Sequence, residues 1–213
     1  MSHWDSTGKF LIAYVTPTLG NGGAERHIAL LCTYLDRNKY EPIVFCLKAG
    51  GSFAAVIQQS QVPVVILAGN RIVLALQEIL RVCVSCGLFK QDGLFCKSIN
   101  RLGIILAEFL SFLHLVVQIR KYQIDLVSVH WAHSLSGLLA AKLLNIPSIY
   151  TEHSIVNSDY YSSVEVKVLK KLVPLAQHVI AVSESTKQSI IERIDMQDDN
   201  VTVVGHAVEF EYM

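Results

Sequence analysis

Four short stretches of the chain carry the residue types that chemistry needs, and each comes after a run of apolar residues. The first, Pro17 to His27, holds Gly20, Gly22 and Gly23 and runs on through Ala24, Glu25 and Arg26. Paired glycines let backbone N–H groups come close to a ligand, and a helix starting directly behind them adds the positive end of its dipole. That combination suits a phosphate or a sugar; the same glycines also serve where a chain only needs a tight turn. The dinucleotide fingerprint G-x-G-x-x-G is met by Gly20 and Gly22 but broken by Glu25 at its third glycine, and the chain has no Walker A pattern.

The second stretch is His130-Trp131-Ala132-His133-Ser134, the third Glu152-His153-Ser154, and the fourth Ser183-Glu184-Ser185. A lone histidine is more often structural than functional, so His130, His133 and His153 count as candidates through their grouping and not singly. His130 and His133 are three apart, but no carboxylate or third histidine nearby completes a metal set, and no metal is expected there. Cys83 and Cys86 begin a C-x-x-C pattern, with Cys96 nearby, and lack a fourth ligand at matching spacing. Ser183 and Glu184 have a plainer use: a serine accepts the free N–H groups at a helix start, and a glutamate favours the positive dipole end. Histidines gathered behind several apolar runs, beside a glycine loop, point to one convergent site.

The elements that position these residues are read from periodicity. Strands are read at Phe10–Val15, a continuous apolar run, and at Ile43–Leu47, Val64–Leu67, Leu126–Val129, Ser148–Thr151, Val179–Val182 and Val201–Val204. Helical spacing is read at 24–35, 53–61, 71–84, 99–122, 135–144, 164–172 and 184–194, while CGLFKQDGLFCK between the third and fourth of these is read as an irregular insertion. Strands alternating with helices predict an α/β fold of the Rossmann-like kind, a mainly parallel sheet with helices on both faces and right-handed crossovers. In such sheets ligands bind beyond the carboxyl ends of the strands, which is where all four stretches fall.

Composition sets the remaining limits. Apolar residues form 52% of the 213 residues against 17% charged, enough for a large core. Eighteen basic and eighteen acidic side chains cancel, so a nucleic-acid partner is not expected. The opening MSHWDSTGKF has no apolar stretch of signal-peptide length, and five cysteines without a secretory signal read as reduced thiols, so a cytosolic location is expected. Cys32 and Cys46 fall in apolar periodic segments and read as core. Leu102–Ile119 is as long as a membrane span, but it contains Glu108 and His114 and is flanked by Arg101, Arg120 and Lys121; a buried or interfacial helix is expected, with peripheral membrane contact.

Taken in order, the Gly-Gly-Ala-Glu-Arg loop, Asp125-Leu126-Val127-Ser128-Val129-His130, Ser136-Gly137, Tyr150-Thr151-Glu152-His153 and Ala181-Val182-Ser183-Glu184 resemble the N-terminal domain of family-four retaining glycosyltransferases, over residues 10–205. The resemblance implies a GT-B enzyme, in which two Rossmann-like domains face a cleft. The acceptor is held mainly by the first domain and the nucleotide sugar mainly by the second. It implies a 1–9 extension, a 10–205 acceptor-side domain and an interdomain hinge starting at 206–213, with the donor domain absent. His153 is then the catalytic-pocket histidine, with Gly22, Gly23, Ala24, Glu25, Arg26, His130, His133, Glu152, Ser183 and Glu184 as donor or acceptor contacts.

No cofactor is implied beyond the nucleotide sugar as co-substrate, which a missing C-terminal domain or a separate chain would bring to a sugar or lipid-linked acceptor. The resemblance departs at Val204-Gly205-His206-Ala207-Val208-Glu209, where relatives carry an Asn-Gly-Val-Asp type hinge. The family's glutamate pair is missing with the donor domain; Glu184 and Glu192 match its spacing in the wrong place. A noncatalytic glycan- or lipid-binding subunit that recruits a donor-binding chain is the alternative, and a dinucleotide-dependent dehydrogenase, disfavoured by Glu25, the third.

Overall fold

A computed structural model describes residues 8–67 and 94–206. Seven strands form one sheet: β1 Phe10–Thr18, β2 Tyr40–Ala49, β3 Val64–Ile66, β4 Leu126–His130, β5 Ser148–Glu152, β6 His178–Ala181 and β7 Val201–Val203. Every neighbouring pair is parallel, and the order is β3-β2-β1-β4-β5-β6-β7. Six α-helices lie among the described residues: α1 Gly23–Tyr34, α2 Ser52–Gln59, α3 Leu94–Lys121, α4 Ser136–Leu144, α5 Ser163–Leu172 and α6 Glu184–Ile194. This is the α/β, Rossmann-like architecture that the alternation of patterns predicts.

Side-chain alternation along β1 divides the core in two. Leu11, Ala13 and Val15 join a cluster with Leu115 of α3, Leu138 of α4, Leu169 of α5 and Ile190 of α6. Ile12 and Tyr14 point the other way, into a cluster with Ile28 of α1 and Ile57 of α2. A strand buried on both faces has no polar side to show, which is why β1 reads as an unbroken apolar run. Gly137 shows how tightly α4 seats on the sheet: a Cβ there would lie 2.7 Å from a methyl of Val129. Cys32 and Cys46 are buried free thiols, each pushed up to about 12 by loss of solvation.

The largest departures from the boundaries read in the sequence are in β1, β2 and α3; the other elements differ by no more than a residue or two. β1 continues past Val15 through Pro17 to Thr18 because the register with β2 shifts between Thr16 and Thr18, and a bulge is where a strand tolerates proline. β2 is longer at both ends than Ile43–Leu47. Leu94–Lys97, read as the end of an irregular insertion, are the first residues of α3, since no helix breaker intervenes from there to Ile99. The rest of that insertion and the helix read at 71–84 lie outside the described residues.

Within α3, Ser111, Leu115, Val116 and Ile119 are buried, whereas Ile105, Leu106, Phe109, Leu113 and Val117 stand exposed. Among the described residues no helix is long and apolar enough to cross a membrane.

Candidate functional site

The carboxyl end of β1 delivers the glycine loop. Thr18 donates its hydroxyl to a Glu25 carboxylate oxygen at 3.0 Å, so the first turn of α1 is tied back to the strand that precedes it. Glu25 is itself buried, and its carboxylate lies under Gly22, where a Cβ would come within 2.3 Å of it. Gly22 is the residue before the helix, with φ −83°, so neither it nor Gly23 is demanded by a left-handed backbone. A Cβ at Gly23 would meet nothing within 4 Å. The glycine there is not relieving a clash with the described residues; the space that a side chain would take is open. Ala24 comes next, half-buried in the first turn, and Arg26 lies on the exposed side of the helix.

The carboxyl ends of β4 and β5 deliver histidines, and they meet. His130 Nδ1 and His153 Nε2 are 3.0 Å apart, His130 Nε2 lies 3.1 Å from the Ser128 hydroxyl, and His153 Nδ1 lies 3.0 Å from His206 Nε2. Ser128, His130, His153 and His206 thus form a hydrogen-bonded chain from the buried sheet to the surface beyond β7. A neutral imidazole has one N–H, so the chain runs in a single direction: each Nδ1–H donates outward, or each Nε2–H donates inward. Flanking this chain, the His27 ring, one turn into α1, stacks on His206 at 4.8 Å between centroids and meets His153 edge-on at 5.6 Å. Among the described residues its buried Nδ1 has no hydrogen-bond partner.

Four imidazoles packed together disfavour protonation. Loss of solvation, then the neighbouring rings, holds His130 well below the ordinary histidine range and takes His153 down to about 3. His27 and His206 are lowered as well, again first by burial. All four are neutral near pH 7. Neutral rings accept and donate hydrogen bonds without adding charge, which suits sugar hydroxyls. Among the described residues no group of His, Cys, Asp or Glu has the arrangement of a metal site, and both nitrogens of His153 are engaged by other rings.

Beneath His153 is a second polar group with a different task. Glu152 is fully buried and accepts the hydroxyls of Tyr150 at 2.6 Å and Tyr161 at 2.8 Å, together with the amides of His153 and Ser154. Burial raises its pKa against the lowering effect of these four donors. Tyr161 in turn accepts Trp131 Nε1–H at 3.1 Å. Trp131, next to His130, has φ 72° and ψ 153°, a conformation that bulky residues rarely adopt. It is held there by its amide, which donates to Thr151 O at 3.0 Å, and by Ser134, whose amide and hydroxyl both donate to its carbonyl.

The structure therefore brings Gly22, Gly23, Ala24, Glu25 and Arg26 to the same edge as His130 and His153. It leaves the other sequence candidates outside that cluster. His133 is exposed and packs edge-on against Trp131, turned away by the 3-10 turn at 132–134. Ser183 caps α6 by accepting the Thr186 amide at 3.1 Å, with Glu184 exposed in the first turn. Glu152 faces inward, organising the loop on which His153 is carried. Sequence reasoning gave no role to His27, His206, Tyr150 or Tyr161. His27 was legible in principle, since it lies one turn behind the glycine loop; His206 comes from a non-repeating segment after β7 that only the sheet order brings alongside β5.

The family pattern for "Glycosyltransferase Family 4" matches residues 97–212, more than half of the chain. The chain belongs to glycosyltransferase family 4. No curated protein matches it. The family's GT-B fold is also what the solved structures show. HepE (Alr3699) of Anabaena, solved with UDP and glucose, superposes with a TM-score of 0.66 at 19% identity, over 93% of this chain and 45% of its own. A glycosyltransferase of Rickettsia africae gives 0.64 at 21% identity, over 94% and 44%. MurG of Acinetobacter baumannii gives 0.57 at 13% identity, over 95% and 46%. The chain thus spans a little under half the length of these family-fold structures.

Proposed function

We propose that this chain is the acceptor-side half of a retaining glycosyltransferase. In this reading it forms one wall of a cleft in which a sugar passes from a nucleotide donor to a glycan or lipid-linked acceptor, and the nucleotide is gripped by a second domain or chain. The observation that carries the reading is the meeting of an open glycine loop at a helix N-terminus with a neutral His130–His153 pair on one sheet edge. The loop suits a diphosphate: backbone N–H groups and a helix dipole, with no side chain at Gly23 in the way. His153 suits the wall of the sugar pocket, where a neutral ring hydrogen-bonds hydroxyls without competing for the phosphate. For a ligand to use its Nδ1, His206 must swing aside, because that nitrogen is engaged.

Transfer needs donor and acceptor held against each other and the departing diphosphate stabilised from both sides. One wall supplies half of this. The expected result is that the isolated chain unfolds cooperatively, transfers no sugar, and binds nucleotide sugars no tighter than about millimolar, roughly 4 kcal/mol. Calorimetry against a panel of nucleotide sugars, with a transfer assay in the presence and absence of an added donor domain, tests this. Micromolar binding or turnover by the chain alone overturns the division into halves.

The lipid-linked branch has its own support in the exposed stripe Ile105, Leu106, Phe109, Leu113 and Val117 on α3, with exposed Arg120 and Lys121 in the last turn. An apolar face with basic residues at its end binds anionic bilayers reversibly. Flotation with anionic vesicles at low salt, weakened at high salt, is the expected outcome; no flotation at low salt removes the membrane contact.

A further inference from the structure

The glycine loop is held from a side that no motif in the sequence marks. α2 begins at Ser52, and the residue before it, Gly51, lies directly against the backbone of the loop. A Cβ on Gly51 would fall 2.1 Å from the Leu19 carbonyl oxygen, 2.5 Å from its carbon and 2.7 Å from the Gly20 nitrogen. Such distances are impossible, and the atoms are backbone, so no side chain can turn away to make room. The backbone of Gly51 is extended, with φ −177°, which any residue adopts. Close approach alone requires the glycine.

Ser52 and Phe53 fasten the contact. A helix leaves its first amides without internal partners. Here the Phe53 amide donates to Leu19 O at 3.2 Å, so one of those orphan donors is spent on the loop. Ser52 does not cap its own helix; its hydroxyl donates to the Asn21 side chain and reaches Gly20 O at 3.4 Å. The bulge that shifts the β1–β2 register between Thr16 and Thr18 sets Ala49 opposite Thr18, which leads the chain to this position. Three consecutive residues, Gly51, Ser52 and Phe53, thus grip three consecutive residues, Leu19, Gly20 and Asn21, immediately ahead of Gly22 and Gly23.

We infer that Gly51 and Ser52 are positioning residues for the glycine loop: the start of α2 sets the conformation in which the loop's amides face the cleft. They touch no reacting atom. Their consequence for ligand binding rests on the reading of that loop as a diphosphate cradle, whereas their consequence for loop conformation does not. The mechanism is preorganisation: a glycine-rich loop has many conformations to lose on binding, and a brace removes them beforehand.

The test uses the 213-residue chain, with backbone NMR shifts of Gly20, Asn21, Gly22 and Gly23 and inorganic pyrophosphate as the probe. Gly51→Ala is expected to move all four amides and to weaken pyrophosphate binding at least tenfold. Ser52→Ala is expected to move them less, and Ser52→Thr, which keeps the hydroxyl, to restore them. A folded Gly51→Ala variant with wild-type loop shifts and wild-type affinity overturns the proposal. If Gly51→Ala does not fold, wild-type loop shifts in Ser52→Ala overturn it. If both variants move the loop amides while even the wild type ignores pyrophosphate, the brace stands and the diphosphate reading of the loop falls.

Discussion

The two halves of the candidate site are built on opposite principles. The β1–α1 side works by absence: Gly23 opens space, its neighbours expose backbone, and the conformation is imposed from outside by the start of α2. The β4–β5 side works by occupancy: His130 and His153 are packed among other rings, and the loop carrying His153 is pinned from below by a buried carboxylate with four donors. One side has surrendered stability to leave room; the other has stored it in a polar network. A ligand that bridges them meets a surface fixed on the histidine side and braced on the glycine side.

Removing the carboxylate should break that contrast most severely. Glu152→Ala leaves the hydroxyls of Tyr150 and Tyr161 and two amides without their acceptor, and each orphaned buried donor costs about 1–3 kcal/mol. A loss of several kcal/mol is expected in urea unfolding, with a smaller loss for Glu152→Gln, which retains one acceptor oxygen. A near-neutral Glu152→Ala would mean that water satisfies these donors and that the histidine side is not pinned.

Acid is the next probe. The folded-state pKa of His153 lies near 3, below the ordinary value of 6.5, so in between the unfolded chain binds a proton that the folded chain refuses. Stability should therefore be fully present above about pH 6.5 and fall as the pH drops toward 3, by about 1.4 kcal/mol per pH unit from His153 alone. His130 adds to the slope in the same direction. Unfolding at pH 7, 5.5 and 4.5 measures it, and His153→Gln should flatten it. His206→Gln sharpens the comparison further, because it removes a ring that lowers His153; the His153 pKa should rise in an NMR titration. A slope unchanged in His153→Gln would place the acid sensitivity elsewhere.

The smallest effect on stability belongs to the glycine side. Gly23→Ala adds a methyl to open space at a helix start, so stability should change by no more than about 0.5 kcal/mol. Pyrophosphate binding, or turnover in a full-length homologue carrying the same loop, should nevertheless fall. A variant with unchanged stability and unchanged binding would show that nothing approaches the loop closely.

The sheet and most helices were legible because buried parallel strands read as plain apolar runs, and Glu184–Ile194 lies where its spacing and its Ser183 cap predict. The loop residues at strand ends were legible as candidates because topology sends ligands there. Direction could not be read. Glu152 and His153 are adjacent and equally polar, yet Glu152 ends β5 facing into the fold while His153, one residue beyond the strand, lies at its edge, and only the tyrosine partners reveal which. His133 resembles His130 in sequence, but a single turn at 132–134 separates their surroundings. Gly51 could not be read at all, since its meaning lies in a contact with residues about thirty positions away.

The sheet order also dictates how the protein must be made. β1 pairs with β2 close in sequence, but its other neighbour is β4, and the amide of Leu11 donates to the Asp125 carboxylate across a separation of 114 residues. Closing so long a loop carries an entropic cost before any contact repays it, and parallel pairing forces that order of events. During synthesis the first strand emerges with one edge unsatisfied and remains so until β4 has been made. The glycine loop at its end therefore takes shape early, against α2, whereas the histidine chain cannot close until β7 and His206 beyond it have emerged, so the histidine side of the candidate site is completed after the glycine side.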